Sequence, residues 1–438
     1  MPFIPAEWVR IKAATGFSQI STTGKKVKTK DCLKVGKFPV IDQGQSAVAG
    51  YVDDPNKLIT ISKPIIVFGD HTRAIKWVDF NFVPGADGTK VLQPDMYLLP
   101  RFAYFQMRAL EIPDKGYSRH FKFLKELDFA VPPPAEQKVI ADTLDTLLAQ
   151  VDSTKARLER IPEILKRFRQ SVLAAAVSGR LTEEWRNSQR LTDWLKTNLG
   201  ELVDKVEAGK NLKCIEVPPN KNEYGIIKIS AVTWGVYDED QSKTLPDKNQ
   251  FLETRRIKIG DFLISRANTI ELLGNPVIVH KVTRNLMLSD KVLRLQMNDE
   301  DKRWVDMFLR SIAGRKEVQD RSTGNQMSMR NIGQKALLQI PIPKPSYEEQ
   351  TEIVRRVDQL FAYADTVERQ VNSALERVNQ LTQSILSKAF RGELTAQWRA
   401  DNPELISGDN SAEALLERIQ AERAAQAPKK RTRKKATT

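Results

Sequence analysis

Residues 136–186 read EQKVIADTLDTLLAQVDSTKARLERIPEILKRFRQSVLAAAVSGRLTEEWR, and residues 349–399 read EQTEIVRRVDQLFAYADTVERQVNSALERVNQLTQSILSKAFRGELTAQWR. Set against each other at an offset of 213, they align without a gap and share 17 of 51 positions. Both open on Glu-Gln, as Glu136-Gln137 and Glu349-Gln350. Both close on Gly-x-Leu-Thr-x-x-Trp-Arg, from Gly179 through Trp185 to Arg186 and from Gly392 through Trp398 to Arg399. The offset is close to half of the 438 residues, so the chain reads as two tandem copies of one plan, a variable segment followed by a repeated one.

The repeated segment has the period of a long helix. Alternating steps of four and three from Ile140 pass through Leu144, Leu147, Val151, Thr154, Leu158, Ile161, Leu165 and Phe168 to Val172. The same steps from Ile353 reach Ile385 on Val, Leu, Ala and Ile alone. Such a seam predicts a coiled coil. Pro162 predicts a kink, Ser346-x-x-Glu349 a capping box, and Gly179 and Gly392 helix C-caps. Neither seam can stay exposed, and the complementary surface is the other copy, so antiparallel packing is expected, with the variable domains at opposite ends.

The variable segments share little sequence, yet both carry short β-rich runs bounded by turn residues. These are Pro64–Phe68 in the first, and Gly225–Ile229, Asp261–Ile264 and Asn275–Val279 in the second. Each leaves through a proline-rich stretch, 130–134 and 340–345. The expected fold class is α+β: two mixed α/β domains separated by two long antiparallel coiled-coil helices, as an internal repeat. The division is 1–132 (domain), 133–190 (helix region), 191–343 (domain), 344–401 (helix region) and 402–438, a basic, disordered tail in which a short helix over Ala412–Arg423 is conceivable.

Net charge is +14, of which the tail's Lys429 to Lys435 supply +6, leaving a basic body that favours a polyanion. Cys32 and Cys214 stand alone, which excludes a disulfide framework or a cysteine zinc site. No leader is evident at the N-terminus and no apolar run is long enough to span a bilayer, so the expectation is a cytoplasmic protein without a membrane partner.

Several loops combine cations, amides and hydroxyls, the groups that read base edges and phosphates. The candidates in the first domain are Gln43, Gln45, His71, Thr72, Arg73, Lys76, Lys90, Ser118, Arg119 and His120. In the second they are Ser230, Thr233, Trp234, Arg266, Asn268, Thr269, Asn325, Gln326, Ser328 and Arg330. Catalytic signatures are missing. The Pro-Pro pairs at 132–134 and 218–219 lack the acid or amide and the aromatic of an adenine-methyltransferase loop, and there is neither a phosphate-cradling G-x-x-x-x-G-K-[ST] nor a G-x-G-x-x-G. His71, His120 and His280 form no metal-ligand spacing. No catalytic or metal residue is therefore assigned, while a fused enzyme or a coiled-coil scaffold without DNA reading stays open on these grounds alone.

The Glu-Gln-headed helices, the Gly-x-Leu-Thr-x-x-Trp-Arg endings and the proline-rich approaches together resemble the specificity subunit of type I restriction-modification enzymes. Residues 64–82 (PIIVFGDHTRAIKWVDFNF), 38–43 and 88–90, with 225–230 and 260–264, resemble target-recognition domains of that family. The resemblance covers nearly the whole chain. It implies a non-catalytic reader of a bipartite, asymmetric double-stranded DNA site, with a helical spacer fixing the unread gap. It also implies two methyltransferase subunits docked on the repeats, with Glu136, Gln137, Trp185, Arg186, Glu349, Gln350, Trp398 and Arg399 as contact residues, and motor-nuclease subunits joining them. S-adenosylmethionine, ATP and Mg then belong to the partners, and this chain binds no cofactor.

Overall fold

The computed structural model describes residues 4–86, 88–116, 118–191, 193–326 and 329–426. The first variable segment carries strands β1 (Val9–Lys12), β2 (Phe17–Ile20), β3 (Phe38–Ile41), β4 (Gly50–Val52), β5 (Ile65–Gly69), β6 (Ile75–Val78), β7 (Val83–Pro84), β8 (Thr89–Pro94) and β9 (Asp128–Val131). Helices α1 (Pro100–Ala109) and α2 (Phe121–Glu126) lie between the last two strands. The long α3 (Pro134–Val177) and short α4 (Glu183–Gln189) follow.

The second variable segment runs β10 (Leu195–Asn198), α5 (Leu199–Leu202), β11 (Lys205–Ala208), β12 (Tyr224–Ile227), β13 (Ser242–Thr244), β14 (Phe262–Ser265), β15 (Ala267–Asn268), β16 (Pro276–Ile278), β17 (Asn285–Met287) and β18 (Val292–Gln296). It continues with α6 (Asp299–Arg310), α7 (Ile312–Asp320), β19 (Thr323–Gln326), β20 (Met329–Asn331), α8 (Gln334–Leu338) and β21 (Pro341–Lys344). The long α9 (Tyr347–Phe390), α10 (Ala396–Asp401) and α11 (Ala412–Gln426) close the chain. Every β-rich run read from the sequence overlaps a strand to within a residue or two.

The chain divides into two compact units whose boundaries cut both long helices. One holds residues up to 159 and from 373 onward, the other residues 160–372. In the first unit an antiparallel sheet has the order β2-β8-β5-β6, and a second has the order β4-β3-β7 with β3 and β7 parallel. In the second unit the orders are β11-β18-β14-β16 and β13-β12-β17, with β12 and β17 parallel. Strand for strand these are the same topology, although the sequences have little in common. The second unit adds a small sheet, β15-β20-β19.

Physical reasons for the shared core recur in both copies. The central strands β5 and β14 are buried at every residue and apolar but for Ser265, as befits strands covered on both faces. Helix α1 begins on Pro100 and buries Phe102, Phe105 and Met107. Helix α6 places Asp299, Glu300 and Asp301 on its positive end and buries Trp304, Val305, Phe308 and Leu309. Each domain also fastens its own two ends together. β1 pairs with β9, and β10 with β21, where Pro341 and Pro343 alternate so that both point their donorless nitrogens away from the ladder.

Within each unit the two long helices run antiparallel. In the first, Ile140, Leu144 and Leu148 share a core with Leu386 and Ala389. In the second, Val172 and Ala176 join Ile353 and Val357, and Arg169 binds Asp365 at 2.6 Å and Glu368 at 2.8 Å. Helix α3 passes through Pro162 without interruption. The seam drifts from the heptad count: Leu148 is buried where Leu147 is half-buried, and Leu381 is 48% exposed. A straight helix of 3.6 residues per turn slips against a 3.5-residue repeat in this way.

The Glu-Gln heads depart most from expectation. Glu136 is fully buried and takes Trp8 Nε1 at 2.8 Å, Thr395 Oγ1 at 2.6 Å and Arg399 Nη1 at 2.5 Å. Glu349, equally buried, takes Trp194 Nε1 at 2.8 Å, Thr182 Oγ1 at 2.7 Å and Arg186 Nε at 2.9 Å. Each clasp joins the head of one repeat to the close of the other. Gln137 is buried on the Leu99 amide and the Tyr97 and Pro132 carbonyls, and Gln350 on the Pro345 carbonyl. Glu136, Gln137, Arg186, Glu349 and Arg399 thus act as fastenings within the chain, while Gln350 is buried with only its Nε2 engaged, on the Pro345 carbonyl. Trp185 and Trp398 are half-buried.

Only half of the capping box forms. Ser346 Oγ accepts the Glu349 amide at 3.3 Å, but the Glu349 carboxylate turns to its clasp instead of reaching back. Gly179 and Gly392 do end the helices at φ of 76° and 75°. A Cβ on Gly392 would stand 2.4 Å from Pro5 Cγ, so glycine is required twice over there. Beyond residue 402 the chain is ordered as far as described: α11 buries Leu416 and Ile419 in the first unit's core. This replaces the expectation of a disordered tail over that stretch, while the basic residues 427–438 lie outside the described ones. Among the described residues no helix is long and apolar enough to cross a membrane.

Removing one partner of a buried ion pair strands the other charge. Glu349→Ala should therefore lower unfolding free energy by about 3–5 kcal/mol, read as a fall in urea midpoint. A change below about 1 kcal/mol would mean that the clasp behaves as a surface salt bridge.

Candidate nucleic-acid interface

In the first unit four connections converge: the stretch after β3, the β5–β6 turn, the start of β8 and the α1–α2 segment. The Gln43 carbonyl accepts the Thr72 hydroxyl at 2.5 Å, and Gln43 Oε1 accepts the His71 amide at 3.1 Å. A Cβ on Gly88, at φ 70°, would stand 2.5 Å from that same Oε1, so only glycine lets β8 start this close. Asp70 ties in the fourth segment. Its carboxylate accepts the Phe121 amide at 2.8 Å and lies 3.7 Å from Lys90 Nζ, and its carbonyl meets the His120 amide at 2.7 Å.

This geometry gathers the first-domain candidates and sorts them. Gln45, Thr72 and Arg119 are exposed. His120 is buried with Nδ1 3.0 Å from the Asp70 carbonyl, where it supports the loop. Arg73 adopts φ 60° and donates to Asp114 at 2.7 Å and to the Ile112 carbonyl at 3.2 Å. The Gly116 amide, and then the Arg73 guanidinium, hold the Asp114 carboxyl below its usual range. Lys76 bonds the Ser46 carbonyl at 2.7 Å and Asp42 at 3.4 Å; burial pushes its ammonium down while Asp42 opposes the shift. Ser118 is half-buried.

In the second unit the corresponding connections also meet. Thr233 is the hub: its hydroxyl donates to the Ile229 carbonyl at 2.9 Å and accepts Asn268 Nδ2 at 3.2 Å, and its carbonyl accepts Asn275 Nδ2 at 2.7 Å. Ser230 donates to Gln241 Oε1 at 2.8 Å, and the Thr269 amide is capped by Asn268 Oδ1 at 2.9 Å. Trp234 stands 74% exposed beside Gly235, whose carbonyl is held by Arg310 at 2.7 Å. Asn325 and Gln326 are exposed on the β19–β20 hairpin. Arg330 is committed to the Ser322 carbonyl and hydroxyl and the Gly324 carbonyl, so it braces the hairpin. Ser328 lies outside the described residues. Arg266 is half-buried, with no hydrogen-bond or ion-pair partner for its guanidinium among the described residues.

The two clusters occupy equivalent places. Gln43 and Gln45 follow β3 as Ser230, Thr233 and Trp234 follow its counterpart β12. His71, Thr72 and Arg73 join β5 to β6 as Arg266, Asn268 and Thr269 help join β14 to β16. Ser118, Arg119 and His120 lie between α1 and α2, where the second unit inserts α7 and the hairpin. Sequence reading missed Lys291, which stands just before β18 where Lys90 stands near the start of β8, and Asn275, which steadies Thr233. Both are visible only once the strand order is known.

The architecture is that of a duplicated reading module, with one loop cluster per copy. The family model for the type I restriction modification DNA specificity domain matches residues 5–163 and 192–377, once for each copy. The chain belongs to that family, as a non-catalytic DNA-recognition subunit. It is 46% identical over 362 residues to the EcoKI specificity subunit of Escherichia coli (strain K12), covering 79% of this chain and 76% of that one. It is 40% identical over 401 residues to the StySPI specificity subunit of Salmonella potsdam, covering 86% and 82%. A solved chain from work on complex assembly and conformational transition of the type I R-M system shares the fold, with a TM-score of 0.58 at 16% identity over 89% of this chain and 99% of that one.

Arg266 and Arg73 make a paired test. Arg266→Ala should weaken specific binding by about 1–3 kcal/mol if the free guanidinium reads a base edge. Arg73→Ala should act by loosening the turn, and so cost thermal stability as well. Equal loss of affinity from both, with stability unchanged in both, would contradict this sorting.

Proposed function

We propose that this chain reads a bipartite, asymmetric double-stranded DNA site, one half with each unit, and presents it to catalytic partners. The observation that carries the reading is one topology used twice, with loop clusters at the same strand ends but different side chains in them. Arg suits guanine, and Asn or Gln suits adenine, so two unlike clusters fit two unlike half-sites. Linking two modest readers in one chain raises affinity through effective concentration.

The partners are two methyltransferase subunits, which bind S-adenosylmethionine and methylate an adenine in each half-site, and motor-nuclease subunits using ATP and Mg. This chain supplies no cofactor of its own and works in the cytoplasm. The half-buried Trp185 and Trp398 remain the candidates of the repeats for partner contact.

The purified chain with S-adenosylmethionine should transfer no methyl group, and addition of its methyltransferase subunits should produce methylation at one asymmetric, split sequence. Exchange of residues 195–342 for those of another family member should change one half of that sequence. A change in both halves, or in neither, would overturn the modular reading.

A further inference from the structure

The stretch joining β2 to β3 reads GKKVKTKDCLKVGK over residues 24–37, with six lysines against the single acid Asp31. Lys25 Nζ is held by the Leu58 carbonyl at 2.6 Å. Lys26, Lys28 and Lys30 are exposed, and their ammonium groups have no hydrogen-bond or ion-pair partner among the described residues. The backbone between them is fixed. Val27 bridges to Gly85, with its amide on the Pro84 carbonyl at 3.0 Å and its carbonyl accepting the Ala86 amide at 2.7 Å. Thr29 Oγ1 donates to Asp42 Oδ2 at 3.2 Å, and the other Asp42 oxygen caps the Gly44 amide at 2.8 Å. The lysines are thus fastened to the root of the loop that carries Gln43 and Gln45.

A run of like charges is ordinarily a solvated face, but the second unit argues against that here. Its β11–β12 connection is laid down by the same two bridges, Lys210 to Ser289 and Ile215 to Thr244, matching Val27 to Gly85 and Leu33 to Tyr51. Yet residues 209–223 hold only Lys210, Lys213 and Lys221, balanced by Glu216 and Glu223. Glu216 is itself paired with Lys243 at 2.6 Å and Lys228 at 3.5 Å. The fold therefore does not require the charge, and unpaired ammonium groups beside a reading loop are placed for a polyanion.

We propose that Lys26, Lys28 and Lys30 form a phosphate-contacting rail beside the first reading cluster, so that the first half-site is gripped by its backbone more strongly than the second. This rests on the DNA-reading function above. Such contacts position without reading sequence, and each phosphate neutralised releases counterions. The test is equilibrium binding of the full chain, assembled with its methyltransferase subunits, to a duplex carrying its mapped methylation site across a series of salt concentrations.

The triple variant K26Q/K28Q/K30Q should reduce the slope of log K against log salt by about 2–3, near 0.9 per contact. It should keep the methylated sequence and the melting temperature of the parent. K210Q/K213Q should reduce the slope by less. A triple-variant slope equal to the parent's overturns the rail, as does a change of preferred bases in the first half-site, which would make these lysines readers. Failure of the unmodified complex to bind the duplex would overturn the DNA-reading function itself, and the rail with it.

Discussion

Two buried carboxylates hold this protein in its arrangement. Glu136 and Glu349 each collect an indole N–H, a threonine hydroxyl and an arginine, and each set draws on stretches far apart in sequence. A buried carboxylate tolerates the loss of water only when its lone pairs are satisfied, and here all donors arrive together or not at all. The clasp thereby couples three decisions: where the recognition domain begins, where its helix starts, and where the other repeat ends. Arg186 and Arg399 extend the coupling by also holding the Gly179 and Gly392 carbonyls that close the helices.

Around these fastenings the sheets vary freely in sequence because their constraints are collective. A central strand must be apolar on both faces, and a crossing helix must present an apolar stripe, but neither demand names residues. That is why β2-β8-β5-β6 and β11-β18-β14-β16 are one arrangement written in unrelated letters. The loops at one end of these strands answer to no such demand. They tolerate a tight turn between β5 and β6, and a longer connection containing β15 between β14 and β16.

Much of this was legible in the sequence. The repeat, the helix period, the terminal glycines and the β-runs are local or periodic signals, and periodicity survives without knowledge of partners. The loops were legible as chemistry, but their division into exposed and bracing residues was not. Nothing near Arg73 or Arg330 in sequence announces that Asp114 or Ser322 will claim the guanidinium. The clasps were not legible for a related reason: the Arg399 that pairs with Glu136 lies 263 positions away. The equivalence of Lys90 and Lys291 needs the strand order, which pairwise residue spacing does not encode.

The membership of each clasp has a consequence at the level of genes. The tryptophan comes from the variable segment, at Trp8 or Trp194, while glutamate, threonine and arginine come from the repeats. A recognition segment therefore contributes the indole N–H of its clasp, and it is joined to the helices by further contacts as well, Gln137 on the Leu99 amide and Tyr97 carbonyl and Arg101 on Asp145 in the first unit and Arg303 on Asp358 in the second. A segment exchanged between copies of such a gene would therefore meet a glutamate, a threonine and an arginine already in place, and would need to bring its own tryptophan and an apolar face that fits the helices.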